Sequence, residues 1–141
     1  ALEEGIVAGG GIALFEAARA MNHKTVADIP EFGDEAKGLA IVKSVLEKPL
    51  RTIAENSGKE PNEVIQQIST MEEGMGFDAS SGQYVNMFEA GIIDPLKVVK
   101  TALLNAVSVA SLILTTEAVV TDIPEEKNPA GAPGMGGMGE Y

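Results

Sequence analysis

A run of three consecutive glycines, Gly9, Gly10 and Gly11, is the first place in this chain where the residue types could do chemistry. Glycine loses more backbone entropy on folding than any other residue, so this glycine triplet indicates a position that needs a bare backbone. A bound phosphate, a second backbone segment packed close by, or a turn with positive φ would each create that need. The dinucleotide fingerprint G-x-G-x-x-G fails because Leu14 stands where its third glycine belongs, and no Gly-Lys-Ser/Thr triplet of a P-loop occurs. Spacing alone therefore leaves the three interpretations open.

Two aspartates stand at predicted turns, where a carboxylate could contact a ligand. Asp78 follows Gly74 and Gly76 in a glycine-rich segment, and Asp94 directly precedes Pro95. A turn aspartate and a helix cap explain the two positions from spacing alone. Either carboxylate could equally accept hydrogen bonds from a ribose or an amino group, so both interpretations stay open.

Composition excludes several other kinds of site. The chain carries 10 Lys and Arg against 21 Asp and Glu, a formal net charge of −11, which argues against non-specific binding to nucleic acid or to an anionic membrane surface. It has no cysteine, so disulfides, thiolate catalysis and Cys-ligated zinc are excluded. The single histidine, His23, lies in a polar segment and rules out a multi-histidine metal site. We therefore predict no catalytic residue and no metal ligand in this chain.

The elements that must position these residues are mainly helices. Apolar spacings of three and four residues predict six helices, over approximately residues 12–21, 34–47, 49–57, 59–68, 83–89 and 96–117. Asp34 and Asp94 are predicted to cap two of them, with Pro95 as the first helical residue after Asp94. Arg51 and Glu60 flank the third helix, and on residue type alone each is interpreted as a solvated charge.

The most apolar part of the chain is the segment 102–120, in the last predicted helix. Four polar residues interrupt it: Asn105, Ser108, Ser111 and Glu117. We therefore predict a long helix that is buried on most sides, and no membrane span.

Short strands and a tail complete the expected fold. One short β element is predicted near residues 74–80 and another near 118–123, where a β-branched run ends at Pro124. The Gly-, Pro- and Met-rich segment 125–141 lacks the residues to build a core and is predicted to be disordered.

Taken in chain order, the short motifs resemble the C-terminal part of a group I chaperonin, the ring chaperone of bacteria and organelles. The motifs that carry the resemblance are EEGIVAGGG at 3–11, KPLR at 48–51, GFDA at 76–79, YVNM at 84–87, GIIDP at 91–95, KVV at 97–99 and VTDIP at 120–124. Asp94-Pro95 and the Gly-Gly-Met tail favour group I over the archaeal and eukaryotic-cytosolic class. The resemblance implies that residues 1–124 form the C-terminal part of a mostly helical equatorial domain, followed by a flexible tail at 125–141.

The same resemblance implies roles for single residues in ATP or ADP binding. Gly9 and Gly10 would lie against the nucleotide, and Asp94 would accept hydrogen bonds from the ribose hydroxyls. The other expected nucleotide contacts are Ile53, Asp78, Ala79, Ser80 and Ile92. Asp78 departs from the pattern, because many family members carry Asn there, and a carboxylate does not donate a hydrogen bond to the base.

Assembly and partners are implied in the same way. Arg51 and Glu60 would lie at the contact between stacked rings, and the strand with Val119 and Val120 at a subunit boundary within one ring. The full-length protein would be a homo-oligomer of the cytoplasm or an organellar matrix that encapsulates non-native proteins. Its co-chaperonin and its clients would bind through domains absent from this chain.

The family's phosphate-gripping GDGTT loop and the aspartates that hold Mg²⁺ and activate water do not occur in this sequence. Phosphoryl transfer needs that metal and its charge neutralisation, so the chain alone is expected not to hydrolyse ATP, and Mg²⁺ would be held by residues outside it. The alternative is a non-catalytic helical interaction or scaffold domain, in which the glycine triplet only permits close packing.

Overall fold

The fold is mainly helical, as predicted, over residues 1–21 and 32–117, which are the residues that the computed structural model describes. In chain order the elements are strand β1 (Ile6–Ala8), helices α1 (Ile12–Ala20), α2 (Asp34–Leu46), α3 (Lys48–Asn56) and α4 (Pro61–Ser69), strands β2 (Met75–Asp78), β3 (Gln83–Asn86) and β4 (Ile93–Pro95), and helix α5 (Leu96–Leu114). Strands β2 and β3 form an antiparallel hairpin. Strand β4 pairs antiparallel with β1, so the beginning of the chain lies beside the start of α5.

The core lies between α1, α3, α4 and the β2–β3 hairpin. Apolar residues three or four positions apart on each helix share a face, and these faces meet. The buried cluster consists of Ala8, Ile12, Phe15, Leu50, Ala54, Val64, Ile68, Phe77 and Met87. Ile65 of α4 is partly buried against the cluster. This core joins the start of α1 to α3 and to the hairpin, and so fixes the segments that carry the candidate site.

The boundary between α2 and α3 is confirmed, and one predicted cap is wrong. The two helices are separated at Glu47, since Pro49 has no N–H to continue the helix and instead takes a place in the first turn of α3. Gly33, not Asp34, is the cap of α2. Asp34 is the first helical residue, and its carboxylate accepts a hydrogen bond from Lys37 Nζ at 3.0 Å in place of a backbone amide.

The predicted helix at 83–89 is wrong, because Gln83–Asn86 is strand β3. A turn after Asp78 folds the chain back, and Tyr84 then pairs with Phe77 across the hairpin. Their ring centroids are 5.6 Å apart, a favourable aromatic cross-strand contact. Tertiary pairing and the β-propensity of Tyr84 and Val85 therefore override the helical spacing of this segment.

The predicted cap at Asp94 and the first helical position at Pro95 are also wrong. Both residues belong to β4, where Asp94 is paired with Val7 and Pro95 with Ile6. Pro95 takes the cap position of α5 and Leu96 is the first helical residue, with no side-chain capping bond. The proline ring disfavours helical backbone at the preceding residue, so Asp94 stays extended and available to the sheet.

Helix α5 is present as predicted, but its predicted burial is wrong, since none of its residues is buried. The reason is that the described residues cover only its beginning. There, Lys100 Nζ contacts Glu4 Oε2 at 2.8 Å, and Lys97 pairs with Glu3. With 19 residues and a mean hydropathy of 1.6, α5 is the one helix in the described ranges that is long and apolar enough to cross a membrane.

Some predictions concern residues outside the described ranges. These are the polar segment with His23, the strand at 118–123 with Val119 and Val120, and the tail at 125–141. They remain predictions.

Candidate functional site

The glycine triplet forms the corner between β1 and α1, and its first residue, Gly9, is hydrogen-bonded to the residue that precedes β4. The amide of Gly9 donates a hydrogen bond to the Ile92 carbonyl oxygen at 2.9 Å. A Cβ atom on Gly9 would stand 3.0 Å from that oxygen and 3.2 Å from the Ile93 nitrogen. Gly9 is thus required because two backbone segments lie too close together for a side chain.

The other two glycines combine a left-handed backbone with close packing. Gly10 has φ 63° and Gly11 has φ 81°, values that residues with a Cβ adopt at a cost. A Cβ on Gly10 would lie 2.9 Å from Met87 Cε, and a Cβ on Gly11 would lie 2.7 Å from the Leu50 nitrogen. Of the three interpretations of the triplet, close packing and positive φ are therefore both observed.

A cavity of about 790 Å³ opens beside the triplet, between α1, α3 and α5. Among the residues that line it are Gly10, Ile53 and Asp94, three of the expected nucleotide contacts. They come from the corner before α1, from the middle of α3 and from β4, segments that are far apart in the sequence. The rest of the lining is mostly apolar, including Val98 and Leu103 of α5.

Asp94 reaches this cavity because of the strand pairing that replaces the predicted cap. Its partner in β1 is Val7, two residues before Gly9. The pairing of β4 with β1, and not a helix-capping bond, therefore holds the Asp94 carboxylate beside the triplet. Asp94 is half-buried. A carboxylate in this position is able to accept hydrogen bonds from ligand hydroxyl groups in the cavity.

Asp78 lies at the turn between β2 and β3, and its carboxylate accepts hydrogen bonds from residues of that turn. Oδ1 accepts a hydrogen bond from the Ser80 amide at 2.9 Å, and Oδ2 accepts one from Ser81 Oγ at 2.6 Å. The Ser81 hydroxyl, followed by the Ser80 amide, lowers the pKa of Asp78 below its usual value of 3.8. The turn-aspartate interpretation is thus observed, and the turn holds Asp78 ionised at neutral pH.

The remaining expected nucleotide contacts are not among the residues that line the cavity. Ala79 and Ser80 are exposed in the hairpin turn, and Ile92 is partly buried against the core. The hairpin nevertheless approaches the triplet, since the Phe77 carbonyl oxygen lies 3.9 Å from the position of a Cβ on Gly10. The structure therefore brings Gly10, Ile53 and Asp94 to one cavity, and the hairpin turn is not part of its lining.

Arg51 and Glu60 belong to one hydrogen-bonded network at the N-terminal ends of α3 and α4. Arg51 donates from Nε and Nη2 to Glu47 Oε2, at 3.2 and 2.9 Å, and from Nη1 to Asn62 Oδ1 at 2.8 Å. Glu60 caps α4 by accepting from the backbone and side-chain nitrogens of Asn62. Both residues are hence engaged within the chain and are not isolated solvated charges.

Sequence reasoning missed three residues of the site. Lys48 and Thr52 line the cavity from α3, and Met87 lies beneath the triplet with no exposed surface. The KPLR motif contains Lys48, but only the packing of α3 against α1 turns its first residue toward the cavity. Met87 gave no signal beyond being an apolar residue of the YVNM motif. Among residues 1–21 and 32–117 no group of three acidic or histidine side chains is placed to hold a metal ion.

Comparison with known proteins decides the family. The TCP-1/cpn60 chaperonin family matches residues 1–124. The chain belongs to the TCP-1/cpn60 chaperonin family. The glycine triplet, the hairpin, β4 and all the lining residues of the candidate cavity lie within the matched range, so the site belongs to a chaperonin segment.

A solved chaperonin structure has a similar fold. The chain superimposes on the open-state monomer of a group II chaperonin from Methanococcoides burtonii with a TM-score of 0.69 and 23% sequence identity. The match covers 79% of this chain and 28% of the other, so the chaperonin segment spans less than a third of that neighbour's length. At this identity the comparison establishes the fold. Because the neighbour is a group II protein, it lends no support to the group I resemblance.

Proposed function

We propose that this chaperonin segment supplies one wall of an ATP or ADP pocket in a ring-forming, ATP-dependent folding chaperone. The observation that carries the proposal is the convergence of Gly10, Ile53 and Asp94 on one cavity from three separate segments. In this proposal residues 1–124 are the C-terminal part of an equatorial domain, and 125–141 is its disordered tail.

The chemistry of the lining suits the ribose end of a nucleotide. Gly10 lines the cavity and has no side chain of its own, so a ligand could approach its backbone, with Gly9 beside it. Asp94 accepts hydrogen bonds from the ribose hydroxyls, and Ile53 and Ile92 pack on apolar surface of the nucleotide. Lys48 adds a positive charge to the lining, which favours an anionic ligand.

The hairpin turn would contact the base. In this proposal a bound nucleotide would extend beyond the lining of the cavity to Asp78, Ala79 and Ser80, where the carboxylate of Asp78 is able to accept a hydrogen bond from an amino group of adenine. That contact competes with the bonds from Ser80 and Ser81, so binding requires the turn to share or release one of them. Backbone groups of Ala79 and Ser80 provide contacts that do not depend on the Asp-for-Asn difference.

The phosphate end of the pocket would lie outside this chain. The described residues contain no cluster suited to a metal ion, and the proposal assigns Mg²⁺ and the phosphate-binding loop to other parts of the full-length protein. The metal would neutralise charge on the transferring phosphoryl group, so the segment alone would bind nucleotide weakly and would not hydrolyse it.

We further propose that the full-length protein is a group I chaperonin with a co-chaperonin, in the cytoplasm or an organellar matrix. Asp94-Pro95 and the Gly-Gly-Met tail support this assignment. Arg51 and Glu60 would contact a second ring, and Val119 and Val120 a neighbouring subunit. Native mass measurement of the full-length protein tests the assembly: a monomer under all conditions, without ATP turnover, would refute it.

The nucleotide proposal is tested by replacing Asp94 with alanine in the full-length protein. Equilibrium ATP binding should weaken at least about tenfold, because a hydrogen bond to a charged acceptor is worth about 1.5–3 kcal/mol. Asp34→Ala is the matched control, since Asp34 is exposed on α2 and should leave the affinity unchanged. Parent-like ATP affinity in Asp94→Ala would remove Asp94 from the pocket.

A second candidate function is a helical interaction domain, and the apolar lining of the cavity favours it. Val98 and Leu103 of α5 line the cavity, and the same helix exposes Leu104 and Leu112. A partner helix would bury these side chains without any nucleotide. The two functions separate cleanly, since an interaction domain shows no ATP binding in the parent and no response to Asp94→Ala.

A further inference from the structure

We propose that Met87 is a positioning residue that sets the distance between Gly10 and the β2–β3 hairpin, and so the width of the nucleotide pocket. The inference rests on the proposed function, in which the glycine triplet and the hairpin turn both contact the nucleotide. Met87 has no exposed surface and lies at the centre of the core cluster. It therefore touches no ligand and would act only through its neighbours.

The side chain of Met87 bridges two bare backbone segments. A Cβ on Gly76, in β2, would lie 2.8 Å from Met87 Cγ and 2.6 Å from its Sδ. A Cβ on Gly10 would lie 2.9 Å from its Cε. The thioether thus starts against the hairpin and ends against the triplet, and both glycines leave only enough space for it.

The backbone of Met87 connects the same two segments. Its amide donates to the Gly74 carbonyl oxygen at 3.0 Å, and its carbonyl oxygen accepts from the Ile92 amide at 2.8 Å. The Ile92 carbonyl oxygen in turn accepts from the Gly9 amide at 2.9 Å. A continuous series of hydrogen bonds therefore runs from the base of the hairpin through Met87 to the triplet, in parallel with the side-chain contact.

The shape of methionine explains why this residue type serves the purpose. Its unbranched chain fits the narrow space beside Gly76 and still reaches Gly10 with a terminal methyl group. Leucine has a similar volume but branches at Cγ and ends one atom sooner, so it would leave Gly10 without its contact. Because Met87→Leu nearly conserves the side-chain volume, the variant should keep most of its stability. A change in ATP affinity is then due to the altered distance between Gly10 and the hairpin and not to unfolding.

The experiment compares ATP binding and stability in the full-length protein carrying Met87→Leu. We expect ATP affinity to fall at least about threefold. A change of this size lies within the range of energetic coupling between two residues in contact, as Met87 and Gly10 are. Amide chemical shifts of Gly10 and Ser80 should move together in the variant. Ile68→Val is the control, because Ile68 is buried in the same cluster and no atom of it is among the nearest to a Cβ on Gly9, Gly10 or Gly11. It should reduce stability and leave affinity and both shifts unchanged.

A double variant, Gly10→Ala with Met87→Leu, tests the contact between the two residues from both sides. Gly10→Ala alone should weaken ATP binding, since its methyl group meets Met87 Cε, and combining it with Met87→Leu should recover part of the loss. Parent-like ATP affinity in Met87→Leu, or no recovery of affinity in the double variant, overturns the role of Met87. Neither outcome affects the proposed pocket, which the ATP affinity of Asp94→Ala tests separately. Failure of the parent to bind ATP overturns the proposed function itself, and the role of Met87 falls with it.

Discussion

A methyl group on Gly11 would stand 2.7 Å from the backbone nitrogen of Leu50 and 3.0 Å from its Cα. The beginning of α1 and the first turn of α3 therefore approach each other backbone to backbone. Leu50 has no exposed surface and lies in the first turn of α3, so it cannot move away from Gly11 without moving that helix. This contact fixes the corner that carries Gly10 against the helix that carries Ile53.

The first prediction concerns that contact. Gly11→Ala should lower the free energy of unfolding by about 2–4 kcal/mol, because it adds a left-handed alanine and an overpacked methyl group. Gly58→Ala is the matched control, with φ 77° and nothing within 4 Å of its Cβ position. It should cost only about 1 kcal/mol. Chemical denaturation measures both, and equal losses would show that the approach to Leu50 is unimportant.

The Arg51 network should contribute more to stability than an exposed ion pair. The side chains of Arg51 and Glu47 are 27% and 29% exposed, whereas those of Lys37 and Asp34 are 77% and 95% exposed. A double-mutant cycle should give a coupling of about 1 kcal/mol for Arg51–Glu47 and close to zero for Lys37–Asp34. A coupling as small as that of the exposed pair would mean that Arg51 is not held within the chain.

The hairpin turn should respond to acid through Asp78. Hydrogen bonds from Ser81 and Ser80 hold the folded pKa of Asp78 below 3.8, so their stabilising effect is present above the unfolded pKa and is lost as the pH falls through the folded pKa. The Ser80 amide chemical shift should titrate with a midpoint below 3.8. Asp78→Asn should abolish that titration, and a midpoint at or above the usual value would contradict the observed turn.

Helix α5 should tolerate polar substitutions in the 141-residue chain. Leu104 and Leu112 are 63% and 68% exposed, so replacing either with Gln should change the free energy of unfolding by less than about 0.5 kcal/mol. Phe15→Ala, in the core, should cost about 3–5 kcal/mol. A large loss from Leu104→Gln would instead show that the described residues do cover this helix.

The helix boundaries near Pro49 and Pro61 and the buried face of α4 were predictable because they depend on local signals. Pro49 and Pro61 each stand in the first turn of a helix, and the spacing of Val64 and Ile68 identifies the buried face of α4 directly. These features follow from the geometry of a single helix, which the sequence encodes at short range.

Strands β3 and β4 were missed because a pairing partner, and not the spacing of their own residues, decides their structure. Asp94-Pro95 has the pattern of a helix cap, and only the presence of β1 as a partner keeps it extended. The apolar spacing around Tyr84 and Val85 is compatible with a helix, but Phe77 pairs with Tyr84 across the hairpin and the segment is a strand. The spacing within one segment does not reveal such a partner, whether it lies nearby, as Phe77 does, or far away in sequence, as β1 does.

The candidate site was only partly predictable for the same reason. Gly10, Ile53 and Asp94 were named from the family resemblance, and their convergence on one cavity depends on the β1–β4 ladder and on the core. Lys48 and Met87 carried no local signal, because a cavity-lining position and a bridge between two glycines exist only in three dimensions.

The pairing of Ile6 with Pro95 also dictates an order of assembly during synthesis. Domains emerge from the ribosome N-terminal end first, so β1 leaves the exit tunnel long before its partner exists. Helices α1 to α4 and the hairpin all lie between β1 and β4 in the sequence, so closing β1 onto β4 costs the entropy of a loop that contains all of them. The cavity beside the glycine triplet is therefore complete only after translation has passed Ala106, the last residue of its lining.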